Sequence, residues 1–168
     1  QWRIQRNAVT NHYRLLNDDN YRHAWGTFIQ CKKSLEEIST QKKLPPVQGK
    51  VVLLLHGLGR TRGSMEELRK HLDKQPGFTA ISLSYASTRA SLEQHARALA
   101  NVIKNIPQDT EIYLVGHSMG NLVVRYYLAR AENADPRIRR IVMLAPPNQG
   151  AALATLFKDN HLFQVFWG

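Results

Sequence analysis

Val51-Val52-Leu53-Leu54-Leu55 is an apolar run as long as any in the 168-residue chain. A strand with one face in water alternates apolar and polar side chains, whereas a strand covered on both faces does not. This run therefore requires layers above and below it. The sequence that follows supplies them, because from Lys50 onward strand-like and helix-like segments alternate. Ser64 with Glu67 predicts a capped helix carrying Met65, Leu68 and Leu72, which Pro76-Gly77 stops. Thr79 to Tyr85 reads as the next strand. Ser91 with Gln94 predicts a second cap, with Leu92, Ala96, Leu99, Ile103 and Ile106 on one helical face. Glu111 to Val115 and Ile138 to Leu144 read as further strands, and Asn121 to Arg130 as the helix between them. Strands alternating with helices of this length predict an α/β fold, a mostly parallel sheet flanked by helices.

The first 49 residues read differently. Tyr13 to Leu16 and Tyr21 to Trp25 have strand character, and Asn17-Asp18-Asp19-Asn20 between them has turn chemistry, which predicts an antiparallel hairpin. Thr27 and Gln30 form a capping-box pattern ahead of a helix with Phe28, Cys31, Leu35 and Ile38 on one face. Residues 44–49, Leu-Pro-Pro-Val-Gln-Gly, end that helix and form a linker. The expected organisation is a hairpin and helix over 1–49 and a partial α/β core over 50–168, a single domain overall.

Composition narrows the function classes. Hydrophobic residues make up 43% and charged residues 21%, a globular balance rather than a disordered one. The net charge of +10 favours anionic partners, an anionic membrane surface among them. The charge is spread along the chain as on a solvated surface. Its tightest cluster, Arg137, Arg139 and Arg140, leads into a strand, so no nucleic-acid partner is expected. Cys31 is the only cysteine, which excludes an internal disulfide. No cluster of ligand residues has metal spacing, and no glycine loop has the lysine and spacing of a phosphate site, so neither metal nor cofactor is expected. The chain contains neither a signal-peptide pattern nor an apolar stretch long enough for a membrane span, and its location, cytoplasmic or exported, stays open.

The chemistry concentrates in Gly116-His117-Ser118-Met119-Gly120, which follows an apolar strand and opens a helix. That context makes it a nucleophile elbow with Ser118 as nucleophile. A serine on a sharp strand-to-helix turn lifts its hydroxyl above the sheet, and side chains at Gly116 and Gly120 would clash in such a turn. The Met119 N–H lies at the helix N-terminus, where donors are unpaired and the dipole favours negative charge. It is the expected donor to the oxyanion of a tetrahedral intermediate, and such a donor is worth roughly 2.7–4 kcal/mol in the transition state. Upstream, the strand ending in His56-Gly57-Leu58-Gly59 is placed to supply a second donor.

With these stretches and with Leu144-Ala145-Pro146-Pro147-Asn148-Gln149-Gly150, the chain resembles bacterial lipases and related esterases of the α/β-hydrolase superfamily over about residues 50 to 150. The resemblance implies an incomplete α/β-hydrolase fold, Ser118 as nucleophile, and Leu58 and Met119 as oxyanion donors. His56 and Gly57 would shape the first loop, and His117 would pack rather than react. Residues 1–49 match the family's opening antiparallel strands only loosely.

In this fold the triad runs serine, then acid, then histidine. After Ser118 the acidic residues are Glu132, Asp135 and Asp159, and the one histidine is His161. Glu132 and Asp135 fall at the end of the sheet away from Ser118. Asp159 and His161 are weak acid and base candidates, because no later strand supports them. The chain is therefore expected to stop before its acid and histidine and to be a nearly inactive fragment of an active parent. Leu153, Leu156, Phe157, Leu162, Phe163, Val165, Phe166 and Trp167 form an apolar tail, read either as a lid or as surface awaiting further strands. The leading function is hydrolysis of carboxylic esters, lipid or acyl esters first, through an acyl-enzyme on Ser118. A thioesterase, acyltransferase or peptidase is the alternative chemistry. A catalytically silent binding module is the non-enzyme alternative.

Overall fold

The computed structural model describes residues 2–7, 9–130 and 135–148 of the chain. It divides into two compact units, Gln1–Pro46 and Val47–Gly168.

In the first unit, β1 (Arg3–Arg6), β2 (Tyr13–Leu16) and β3 (Arg22–Gly26) form an antiparallel sheet in that order, followed by α1 (Phe28–Lys42). The expected hairpin is β2–β3, and β1 adds a strand that the sequence hides. Arg-Ile-Gln-Arg has one apolar residue, Ile4, and it pairs with Leu15 of β2. Cys31 of α1 and Leu15 are fully buried and form the centre of this unit. The capping box that starts α1 is formed. Thr27 N–H donates to Gln30 Oε1 at 2.8 Å, and Gln30 N–H donates to Thr27 Oγ1 at 3.2 Å.

In the second unit, β4 (Lys50–Leu55), β5 (Phe78–Ser82), β6 (Glu111–His117) and β7 (Ile138–Leu144) form a parallel sheet in the order β5-β4-β6-β7. Between them run a 3-10 turn (Arg62–Met65), α2 (Glu66–Asp73), α3 (Leu92–Lys104) and α4 (Met119–Leu128). β4 is central and covered on both faces, as its apolar run demands. Val51, Leu53 and Leu55 join Ala96, Leu99 and Ile103 of α3 and Val123, Val124 and Tyr127 of α4. Val52 and Leu54 pack the other way, with Met65, Ala80 and Val115, against Leu68 and Leu72 of α2. The period-2 alternation of a strand thus feeds two separate cores.

Local differences from expectation have local causes. Ser64 does not cap α2, because it sits inside the 3-10 turn with its hydroxyl donating to Thr61 O at 2.9 Å. β5 ends at Ser82, and the chain then leaves the sheet toward Tyr85. Ser91 and Gln94 form the second predicted capping box. Arg137 is committed to structure rather than to a basic patch. Its guanidinium bonds the carbonyls of Ile103, Ile106 and Pro107 at the end of α3 and forks onto the Asp135 carboxylate. β7 lies at the sheet edge with Ile141, Val142, Met143 and Leu144 exposed, so the last described strand carries apolar side chains facing outward.

Candidate active site around Ser118

Ser118 sits between the last residue of β6 and the first of α4, with φ 51° and ψ −118°. A serine gains nothing from such a backbone, and a residue held there typically costs about 1–3 kcal/mol that its surroundings must offset. Four contacts hold it. Ser118 N–H donates to Leu144 O at 3.0 Å, tying the turn to the end of β7. Asn121 N–H donates to Ser118 O at 3.0 Å. The Asn121 side-chain amide donates to Ser118 O at 3.1 Å and to Leu144 O at 2.9 Å. Asn121 is fully buried, so its side chain is a fixed clamp between elbow and strand.

The glycines are required by close approach. A Cβ on Gly116 would lie 2.7 Å from both the backbone nitrogen and Oδ1 of Asn121. One on Gly120 would lie 2.5 Å from Leu55 O, so α4 rests directly on the end of β4. One on Gly57 would lie 3.2 Å from both Ser118 Cβ and His117 Nδ1. The loop after β4 therefore passes against the elbow, and His117 packs on Gly57. Ser118 stays partly exposed, and its hydroxyl has no hydrogen-bond partner among the described residues.

The two amides singled out by sequence are placed differently along the chain. Met119 is the first residue of α4, where an N–H has no intrahelical acceptor, while its side chain is buried in the core. Leu58 lies in the turn after β4, partly buried against the same core. Neither N–H has an acceptor among the described residues.

His56 is fully buried, with Nδ1 2.9 Å from Gly57 O. Tyr85 stacks on its ring at 4.1 Å and 10°, and the Tyr85 hydroxyl donates to His56 O. His95 of α3 leans on Tyr85 from another side, with centroids 4.9 Å apart. His95 is only 5% exposed. Burial pushes both imidazoles below the ordinary histidine range and the Tyr85 phenol above its own. His56 Nε2 and His95 Nε2 are buried without partners among the described residues, as fits neutral rings.

The acid and base candidates separate. Asp135 lies before β7, at the end remote from Leu144, and hydrogen bonds from Arg137 hold its carboxyl below the usual carboxylate range. Glu132, Asp159 and His161, with most of the apolar tail, lie outside the described residues. His71, His12 and His23 are exposed. Among the described residues no three His, Cys, Asp or Glu side chains gather as metal ligands, and no helix is long and apolar enough to cross a membrane. Sequence reasoning missed Asn121, Tyr85 and Ser87. Asn121 carried a weak signal, a polar residue three positions after Ser118 on an otherwise apolar helix face. Tyr85 and Ser87 carried none.

A family model described as "Domain of unknown function (DUF7379)" matches residues 19–167. The chain belongs to that family. Among curated proteins, this DUF7379 chain is 27% identical over 107 residues to "Putative methylesterase 12, chloroplastic" from Arabidopsis thaliana, covering 56% of the chain and 31% of that protein. Among solved structures it resembles an extracellular α/β-hydrolase from a Paenibacillus species, described as sharing structural and functional homology with tobacco salicylic acid binding protein 2. That match has a TM-score of 0.50 and 23% identity, and covers 65% of the chain and 51% of that structure. A further match is the RedJ thioesterase from the prodiginine pathway of Streptomyces coelicolor, with a TM-score of 0.49 and 14% identity over 89% of the chain and 64% of that structure. The DUF7379 chain thus has the α/β-hydrolase fold and spans about a third of the curated relative it matches.

Proposed function

We propose that this chain carries the nucleophile and oxyanion site of a serine hydrolase acting on carboxylic esters. The observation that carries the reading is the Ser118 backbone, held at φ 51° on a strand-to-helix turn with the glycine loop after β4 against it. In the reaction the Ser118 oxygen attacks the ester carbonyl carbon and its proton passes to a base. The oxyanion accepts hydrogen bonds from the Leu58 and Met119 amides. The alcohol leaves with a proton, and water releases the acid from the acyl-enzyme.

The base and its acid partner are assigned to residues outside those described, because no histidine–carboxylate pair faces Ser118 among the described residues. A chain without them is close to inactive, since losing the base costs on the order of 10⁶ in turnover. The curated relative named as a putative methylesterase supports an ester substrate. A fatty-acyl or lipid ester is favoured by the apolar tail of the sequence and its lipase-like motifs, and an anionic membrane surface by the net charge of +10. The alternative chemistry, a thioesterase or acyltransferase, uses the same elbow.

The test is turnover by the complete protein on p-nitrophenyl esters from acetate to palmitate, beside Ser118→Ala. Turnover abolished by Ser118→Ala and rising with acyl length supports the lipid-ester reading. Preference for acyl thioesters moves the assignment to the second chemistry. Folded protein without turnover on any acyl donor favours a silent binding module.

A further inference from the structure

We infer that the segment following β5 is a brace for the oxyanion loop, with Tyr85 and Ser87 as positioning residues that determine which loop amide faces Ser118. The inference rests on the hydrolase reading and adds a role to residues that no sequence motif marks.

The loop of residues 56–60 contains more polar backbone groups than an oxyanion site uses, and three of them are tied to other partners. His56 O accepts from the Tyr85 hydroxyl. Gly57 O accepts from Arg60 N–H at 3.2 Å and lies 2.9 Å from His56 Nδ1, which as a neutral donor occupies it a second time. Gly59 N–H donates to Ser87 Oγ at 3.0 Å. With these groups committed, Leu58 N–H, at the crest of the turn, has no acceptor among the described residues. The His56 and Gly57 carbonyls, which would repel a developing oxyanion, are held by donors of their own.

The brace is rigid where it matters. Ser87 is buried, and its N–H closes a tight turn onto Tyr85 O at 3.1 Å, which ties the backbone of the two residues together. Tyr85 is fixed between the rings of His56 and His95. Gly59 has φ +66° with no atom within 4 Å of the position a Cβ would take, so nothing on that side restrains it except the bond to Ser87. Without that bond the Leu58–Gly59 peptide loses its tie to the segment after β5, and the turn that carries the Leu58 amide is anchored only through the carbonyls of His56 and Gly57. A donor aimed at the transition state is worth about 10²–10³ in rate, so blurring its direction is expected to cost part of that.

The test uses Tyr85→Phe, which keeps the ring stack and removes the hydroxyl, and Ser87→Ala in the complete protein. The expected result is kcat about tenfold lower in each with KM within about twofold, since the oxyanion donor acts on the transition state rather than on substrate binding. Affinity for an alkylboronate, whose tetrahedral serine adduct occupies the oxyanion site, falls by the same factor. Amide exchange at Gly59 accelerates in Ser87→Ala. Ser87→Cys, which keeps the volume with a weaker acceptor, falls between wild type and Ser87→Ala and serves if the alanine variant fails to fold. Unchanged kcat and boronate affinity in folded variants, with an active wild type, overturn the brace alone. A rise in KM at constant kcat also overturns it, because that pattern marks a binding defect. A folded wild type without ester turnover or boronate adduct overturns the hydrolase reading, and the brace falls with it.

Discussion

Replacing Gly120 with alanine tests whether the elbow is held by backbone contact. The added methyl would stand 2.5 Å from Leu55 O, 2.9 Å from Leu55 C and 3.0 Å from Leu55 Cβ. Ordinary contact needs 3.4 Å, so α4 and β4 must separate by about 0.9 Å against a packed interior. No side-chain rotation relieves this, because the obstructing atoms are backbone of a buried central strand. Overpacking of this kind costs about 1–3 kcal/mol, here toward the upper end, and the helix preference for alanine returns up to about 1 kcal/mol. A net loss of about 2 kcal/mol lowers the melting temperature by roughly 4–8 °C in a domain of this size. The functional loss is larger than the stability loss, because β4 runs straight into the loop that faces Ser118. A displacement near 1 Å at the reacting groups typically costs about 10² in rate. Thermal melts and ester turnover of Gly120→Ala measure both. Gly63→Ala is the control, since its Cβ would meet only Thr61 Oγ1 at 3.4 Å. A Gly120→Ala protein that melts within 1 °C of wild type (less than roughly 0.5 kcal/mol) and keeps its turnover refutes the close-contact argument.

Three further outcomes follow from named contacts. Asn121→Asp replaces a buried amide that donates to Ser118 O and Leu144 O with a group that only accepts when ionised, so stability falls by about 3 kcal/mol or more, and urea titration should show a larger loss than for Asn121→Ala. Arg137→Ala leaves the carbonyls of Ile103, Ile106 and Pro107 and the Asp135 carboxylate without their shared donor and should cost about 3 kcal/mol with ester turnover per folded molecule unchanged, because the site lies at the opposite end of β7. Stability should also fall below about pH 6.5, where the unfolded chain protonates histidines that burial keeps neutral at positions 56 and 95 in the folded state. The loss grows as pH drops toward the lowered folded values, and His95→Phe should flatten it; a melting temperature constant from pH 7.5 to 5.5 contradicts this.

The parallel core was legible in the sequence because burial on both faces leaves a mark in composition. Val51–Leu55 shows it, and β7 emerged with the bounds read from the apolar pattern, Ile138 to Leu144. Capping boxes at Thr27 and Ser91 were legible because both partners are local. The same pattern at Ser64 misled, since a 3-10 turn claimed the serine hydroxyl first. β1 was illegible because its strand character comes from pairing with β2, not from its own residues. Within the site, the elbow glycines announce themselves, but the groups that aim the neighbouring loop come from a segment about 28 residues further on. Tyr85 and Ser87 are ordinary residues of the segment after β5 until the fold sets them beside His56 and Gly59.

Covalent capture tests the central claim most directly. The complete protein is treated with a fluorophosphonate, digested, and its peptides weighed, with Ser118→Ala alongside. The account predicts one stoichiometric phosphonyl adduct on Ser118 that disappears in the alanine variant while the remaining serines stay unmodified. Labelling of a different serine, or equal slow labelling of wild type and variant, contradicts it.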